Sequence, residues 1–265
     1  MISFLSDYGH GDDFVGVCHG VIASICPDAR VIDITHGIPR HDVLAGAIVL
    51  RNTLPYMPAG VHLAVVDPDV GAERRAIALR LADGRFLVGP DNGLLSLAAA
   101  SGDGIVEAAD IGRSPFRLAP ISATFHGRDI FAPVAARIAA GASLANAGTP
   151  LDPAELVVVT LPRAAREADA LLAHAVYIDH FGNVELDVRH EDLADSGLRL
   201  GRRVALQSGS ETVTAQFART FADVEAGELL VYEDAYRTLA VAVSGGDAAA
   251  RLGLSPGDEL RLRPP

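Results

Sequence analysis

Short apolar runs that stop abruptly in loops of aspartate, histidine, glycine and proline constrain this chain more than any other feature. The plainest case is Val61 to Val66, interrupted only by His62, followed by Asp67-Pro68-Asp69-Val70-Gly71-Ala72-Glu73-Arg74-Arg75. The run has the length and composition of a buried strand, and the loop carries the Pro and Gly of turn chemistry. In an open α/β sheet, the loop leaving a strand's carboxyl end is where ligands bind. Taken alone, Asp67 and Arg74 fit equally a polar turn with a surface ion pair, which contributes little. Other loops of the same half repeat the design. They are Ser6-Asp7-Tyr8-Gly9-His10-Gly11-Asp12, Asp33-Ile34-Thr35-His36-Gly37-Ile38-Pro39, Val88-Gly89-Pro90-Asp91-Asn92-Gly93 and Thr124-Phe125-His126-Gly127-Arg128-Asp129.

The segments between these loops predict their own structure. Ile2 to Leu5 reads as a first strand, and Phe14, Val17, Cys18, Val21, Ile22 and Ile25 fall at helical spacing before Pro27. Val31 to Ile34 is a second strand. Asp42 can cap a helix over Val43 to Leu54, which Pro55 ends. A hairpin is expected from Ala76 to Leu81 and Phe86 to Val88, about Ala82-Asp83-Gly84-Arg85. Further helices are expected over Leu94 to Ala100, capped by Asn92, and Arg128 to Ala140, with a strand over Ile105 to Ala108. This alternation predicts an α/β N-terminal domain with a mostly parallel sheet over residues 1–155. Residues 156–265 read differently. Ala173 to Ile178, Val184 to Val188, Arg203 to Leu206, Thr212 to Phe217, Leu229 to Tyr232, Leu239 to Val243 and Glu259 to Leu262 are short runs with frequent turns. They predict a small all-β C-terminal domain, an antiparallel barrel or sandwich.

Composition removes several classes of function. The net charge is −12 with no basic block, which argues against nucleic acid but leaves room for a cationic ligand. All 22 basic residues are arginine, so a Walker A loop, a Schiff-base enzyme and pyridoxal chemistry are excluded. Cys18 and Cys26 are too few for a disulfide framework or a structural zinc site and read as core thiols. No leader or membrane-length apolar run is visible, so a cytoplasmic protein without membrane contact is expected.

Together the loop strings resemble the SAM hydroxide adenosyltransferase family, the adenosine-forming SAM hydrolases related to the fluorinase and chlorinase enzymes. The likeness runs through most of the first 135 residues and resumes at Tyr177-Ile178-Asp179-His180-Phe181-Gly182-Asn183. It implies that Asp67, Arg74 and His126 form a hydrolytic triad that delivers water, as hydroxide, to the ribose C5′ of SAM. Adenosine and methionine are the products, and no cofactor or metal is needed. The resemblance places Asp7 on the ribose diol and Asp12 near the methionine end, with Tyr8 and Phe125 beside the substrate. In the second domain it gives Asp179 to the methionine ammonium, Phe181 and Asn183 to the ligand, and Val243 and Ser244 to the adenine. It also implies a homotrimer whose site lies between one subunit's first domain and a neighbour's second.

The residue chemistry leaves some choices open. Asp7 and Asp12, flanking glycines after the first strand, could hold ribose hydroxyls or simply close an Asx-turn. Asp179 and Gly182-Asn183 equally suit a hairpin turn. Arg74 cannot be a base, because guanidinium stays protonated. Asp67, made less basic by the arginine, and His126, if neutral, both remain candidates for the proton. Asp69 stands where the family usually has glycine, and could raise Asp67's basicity or face solvent. Ala72, where halogenases carry threonine, His126-Gly127, and the lack of an inserted loop between Phe86 and Phe125 favour hydrolysis over halide transfer. Two other readings stand beside it. One is a non-catalytic adenosine or SAM sensor. The other is a metal hydrolase using His10, Asp12, Asp13, His36 and His41, none of which shows a recognised zinc spacing. A SAM methyltransferase is disfavoured, since no G-x-G-x-x-G follows the first strand.

Overall fold

The fold was analysed in a computed structural model, which describes residues 1–194 and 196–264. The chain forms two compact units, residues 1–159 and 160–265.

In the first unit, β1 (Ile2–Ser6) is flanked on one side by β2 (Val31–Thr35) and on the other by β3 (Val61–Val65), both parallel to it. β5 (Phe86–Pro90) extends the parallel set beside β3. Then β4 (Ala76–Leu81), β6 (Ile105–Asp110) and the two-residue β7 (Thr149–Pro150) continue the sheet antiparallel. Every residue of β1 and β3 is buried, as continuous apolar strands require when both sheet faces are covered. Ile2, Phe4, Leu63 and Val65 pack with α1 (Phe14–Ile25) and α4 (Ala132–Ala139). α2 (Val43–Thr53), capped by the Asp42 carboxylate on the Ala45 N–H at 2.8 Å, packs on α3 (Ser96–Ser101). One polar pair crosses the buried sheet: Ser3 and His62 are register partners, with Ser3 Oγ 2.7 Å from His62 Nδ1.

Two helices depart from the sequence expectation. α3 starts at Ser96 rather than Leu94, because Asn92 is used to shape the turn before it. Its side chain accepts the Leu94 N–H at 3.2 Å and donates to the Val66 carbonyl at 2.9 Å. The helix expected over Arg128 to Ala140 opens instead with a π-helical turn, Gly127–Phe131, in which the Ala132 N–H reaches the Gly127 carbonyl. Pro133 supplies the reason: it has no N–H to give the Asp129 carbonyl, and that carbonyl accepts from Leu118 at 2.8 Å instead. The last residues of the unit are tied to it locally. Asp91 accepts the Val157 N–H at 2.9 Å, and Ser96 Oγ accepts that of Val159 at 3.2 Å.

The second unit is a closed barrel rather than a sandwich. Its strands are β9 (Leu171–Ile178), β10 (Val184–Arg189), β11 (Arg203–Ser208), β12 (Glu211–Phe217), β13 (Leu229–Glu233), β14 (Thr238–Val243) and β15 (Glu259–Arg263). The circuit runs β10-β14-β13-β12-β11-β15-β9 and closes where β9 meets β10 again; the short β8 (Ala165–Arg166) hangs on β9. All pairs are antiparallel except β12 with β13. Leu171, Val184, Leu186, Val231, Val241, Leu260 and Leu262 fill the interior. Closure removes the free sheet edges that a short-stranded sandwich would leave exposed.

Candidate active site

The parallel part of the first sheet has its strand-order reversal at β1, with β2 on one side and β3 on the other. The crevice outside the carboxyl ends of two such strands is the natural ligand position in an open α/β sheet. Asp7 leaves β1 there and Asp67 leaves β3. Between them lies a cavity of about 290 Å³ lined by polar groups including Asp7, Asp12, His41, Asp67, Thr124 and His126.

Asp67, Arg74 and His126 form one hydrogen-bonded unit. Arg74 Nε donates to Asp67 Oδ1 at 2.8 Å, and Nη2 donates to Asp67 Oδ2, so the pair is bidentate. The same Nη2 lies 2.9 Å from His126 Nδ1. A guanidinium can only donate, so Nδ1 is the acceptor and the proton of neutral His126 sits on Nε2. Asp67 and His126 line the cavity. Arg74, with a side chain only 8 % exposed, bridges them and lies over the Phe131 ring at 5.2 Å. Burial, and then the Arg74 charge, push the His126 pKa below its ordinary 6.5, so it is neutral at neutral pH.

Two glycines make this convergence possible. Gly71 has φ +82°, and a Cβ there would lie 2.3 Å from the Ala123 carbonyl oxygen. Only glycine lets the Asp67 loop lie so close to the segment leading into His126. A Cβ on Gly127 would lie 2.1 Å from Tyr8 Oη. Asp129, its side chain buried, receives the Ser122 N–H at 2.7 Å and pairs with Arg128, fixing the segment before His126.

The other expected residues of this unit divide. Asp7 and Tyr8 line the cavity, as does the exposed Asp12; one oxygen of Asp7 already accepts the His41 N–H at 3.0 Å. Burial raises the Tyr8 pKa well above its ordinary value, so the phenol stays protonated. Phe125 is not brought to the wall. Its ring packs edge-on against Tyr8 and Phe14, at 6.0 and 5.1 Å, and carries Arg128 at 5.1 Å. Asp69 is exposed to solvent. Sequence reasoning missed Phe14, Arg40, Val70 and Thr124 as lining residues, and it named His41, which also lines the cavity, only for the metal-hydrolase reading. Their only signal was adjacency to the Asp, His and Gly loops.

The barrel holds a larger cavity, about 880 Å³, into which Asp179, Phe181, Asn183 and Val243 face, with Tyr177, Glu185, Arg219 and Tyr232 among residues not foreseen. Asp179 closes the turn between β9 and β10: Oδ1 accepts the N–H groups of Phe181 and Asn183 at 2.8 and 2.9 Å, and Oδ2 accepts Asn183 Nδ2 at 2.7 Å. Phe181 is 73 % exposed, a large apolar ring held open to solvent. The Ser244 hydroxyl donates to the Phe221 carbonyl at 3.2 Å, and its neighbours Val243 and Gly245 line the cavity. Burial pushes the Tyr232 phenol up to about 12.

Of the residues considered for a metal hydrolase, Asp12 and His41 line the first cavity, whereas His36 is wholly buried beneath the β1 loop. Among the described residues, no helix is long and apolar enough to cross a membrane.

Comparison with known proteins identifies the chain's relatives. The family model described as the SAM hydroxide adenosyltransferase N-terminal domain matches residues 2–148, and that of the corresponding C-terminal domain matches residues 173–261. A protein of Salinispora tropica named (R)-S-adenosyl-L-methionine hydrolase is 51 % identical, covering 98 % of this chain and 97 % of the relative. A fluorinase of an Actinoplanes species is 28 % identical, covering 97 % and 95 % of the two chains. The crystal structure of an uncharacterized conserved protein from Thermotoga maritima superposes with a TM-score of 0.92 at 35 % identity, covering 99 % of this chain and all of that one.

Proposed function

The chain belongs to the SAM hydroxide adenosyltransferase family, and from that premise we propose that it hydrolyses S-adenosyl-L-methionine to adenosine and L-methionine. Water attacks the ribose C5′, the C5′–S bond breaks, and methionine leaves as a neutral thioether. The observation that carries this reading is the single hydrogen-bonded unit of Asp67, Arg74 and His126 on a cavity at the sheet's switch point.

A sulfonium leaves without protonation, so the protein needs no acid for the leaving group and no cofactor. What remains is to hold the substrate and one water in line. Such alignment is worth up to roughly 7–11 kcal/mol in favourable cases. Asp7 and Tyr8 supply polar groups for the ribose side of this cavity. Arg74 fixes Asp67 and His126 in one geometry. Because the Nδ1 lone pair of His126 is engaged by Arg74, Asp67 receives the proton through lone pairs that the bidentate pair leaves free. Its basicity is reduced by Arg74, yet the task is light. Water becomes strongly acidic as its oxygen bonds to carbon, so the transfer runs downhill late in the displacement. His126 Nε2–H helps to hold the water.

The family reading carries with it a homotrimer with a site shared between neighbouring chains, a cytoplasmic location, and independence from cofactors. Sedimentation equilibrium tests the assembly. The reaction is tested by incubating the protein with SAM in ¹⁸O-water, with and without chloride. Adenosine labelled at the 5′ oxygen is expected, together with methionine. Binding of SAM without turnover would make the protein a sensor, and a 5′-chloro product would make it a halide transferase.

A further inference from the structure

Apart from the cavity residues, three metal-ligating atoms converge from separate places in the first unit. His19 comes from α1, Asp33 from β2, and His36 from the turn after β2. His19 Nε2 lies 2.9 Å from Asp33 Oδ1, and His36 Nε2 lies 3.1 Å from the same oxygen. All three donor atoms fall within 4.8 Å of one another.

His36 is the informative member. Its side chain is wholly buried, and its Nδ1 is 2.7 Å from Ser6 Oγ. Its Nε2 makes no hydrogen bond of good geometry, although the Asp33 oxygen lies 3.1 Å away and pulls upward on a pKa that burial lowers. Buried polar atoms left in this way are uncommon and costly. A hydrogen bond wants the oxygen on the nitrogen's axis. An ion wants the nitrogen axis aimed at itself, with the oxygen to one side. Tetrahedral zinc, with ligand bonds of about 2.0–2.1 Å, places its ligand atoms roughly 3.3 Å apart. The His36 Nε2–Asp33 Oδ1 separation of 3.1 Å is close to that, while His19 Nε2 and Asp33 Oδ1 are hydrogen-bonded at 2.9 Å, a bond the ion would replace.

We propose that His19, Asp33 and His36 bind a divalent transition metal ion of the zinc class. Two imidazole nitrogens and one carboxylate oxygen suit such an ion, whereas Ca²⁺ and Mg²⁺ demand more oxygen ligands. Ser6 supplies the supporting shell: with the His36 Nδ1–H donated to Ser6 Oγ, the Nε2 lone pair is turned toward the ion. Ser6 Oγ also accepts the Tyr8 N–H at 3.2 Å. The ion therefore joins α1 and β2 to the root of the loop that carries Asp7 and Tyr8, and its role is to brace that loop. It takes no part in the displacement, so the site stands or falls independently of the hydrolysis.

Equilibrium dialysis of the whole protein against Zn²⁺, with the metal counted by atomic emission, tests the site. One ion per chain is expected, with affinity lowered at least tenfold in His19→Ala and in Asp33→Asn. His19 is partly exposed, so His19→Ala leaves the fold intact by circular dichroism; Asp33→Asn keeps the side-chain shape as a second check. Co²⁺ should give the visible absorption of a four- or five-coordinate site in the native chain and lose it in both variants. Saturating Zn²⁺ should raise the thermal midpoint of the native protein more than that of either variant. The chain has 9 histidines, so binding that is undiminished in both variants would assign the ion to other residues and overturn the proposal. Absence of binding to the native chain would overturn it as well.

Discussion

Each unit of this protein centres a cavity on an aspartate, and the two carboxylates are satisfied in opposite ways. Asp67 takes a guanidinium seven residues on, and that guanidinium reaches a histidine 52 residues further along. Asp179 finds all of its hydrogen-bond partners within four residues, in its own turn. The first arrangement needs the sheet, the α1–α4 packing and two glycines before it exists. The second forms wherever the hairpin forms. The first carboxylate is held by partners that only the tertiary fold brings together, whereas the second is spent on its own turn, which presents Phe181 and Asn183.

That contrast makes graded predictions. The largest effect is expected at Asp67→Asn, which keeps the size of the side chain but removes the proton acceptor and the bidentate anchor. Methionine release should slow by about 10³-fold or more, within the usual range for loss of a positioned base, and the thermal midpoint should fall too, because the buried Arg74 loses its charged partner. A fall in stability with turnover intact would put Asp67 in the same class as Asp179. Next comes Arg74→Lys. An ammonium cannot hold Asp67 by two parallel bonds and still reach His126. A loss of about 10²-fold in kcat is expected, read from initial rates at saturating SAM.

The third prediction is a pH dependence. His126 has a folded pKa below its ordinary 6.5, so the folded protein resists its protonation. As pH falls below 6.5 toward that lower value, stability is lost, because the unfolded chain takes up the proton first. As pH passes through the folded value, the imidazolium faces Arg74 and the unit breaks. The kcat profile should therefore show an acid limb below pH 6.5, absent from a slower His126→Ala. An unchanged limb in that variant would assign it to another group. The smallest effect is expected at Asp179→Ala. Two backbone N–H groups lose a charged acceptor at a partly exposed turn, for a loss of about 1–2 kcal/mol by denaturant titration. KM for SAM should rise through the displaced Phe181 and Asn183, while kcat changes less than threefold. A kcat loss as large as that of Asp67→Asn would erase the distinction between the two carboxylates.

Much of this architecture was legible along the chain. Apolar runs of strand length, Asp42 as a helix cap and the hairpin turns all depend on residues near in sequence, and they are found where local chemistry put them. The misreadings share a cause. Asn92 was a plausible cap, but its amide reaches across to Val66. The helix expected from Arg128 opens as a π turn because Pro133 cannot bond the Asp129 carbonyl, which Leu118, a residue outside the helix, takes instead. Phe125 had the right neighbours in sequence but packs into a cluster of rings beside the cavity.

The sequence by itself determined which residue types leave each strand and the period that builds each layer. Side-chain pattern and turn chemistry act over a few residues, and these features need no more range than that. Tertiary structure alone decided that β1 lies between β2 and β3, that Gly71 brings the Asp67 loop against Ala123, and that the barrel closes through β9 and β10. It alone decided which histidine nitrogen Arg74 occupies and which buried nitrogens, those of His36, His62 and Arg85 among the described residues, were left without a hydrogen-bond partner. Such outcomes are set by packing between residues far apart in the chain, where a difference of an ångström separates a hydrogen bond from an empty contact.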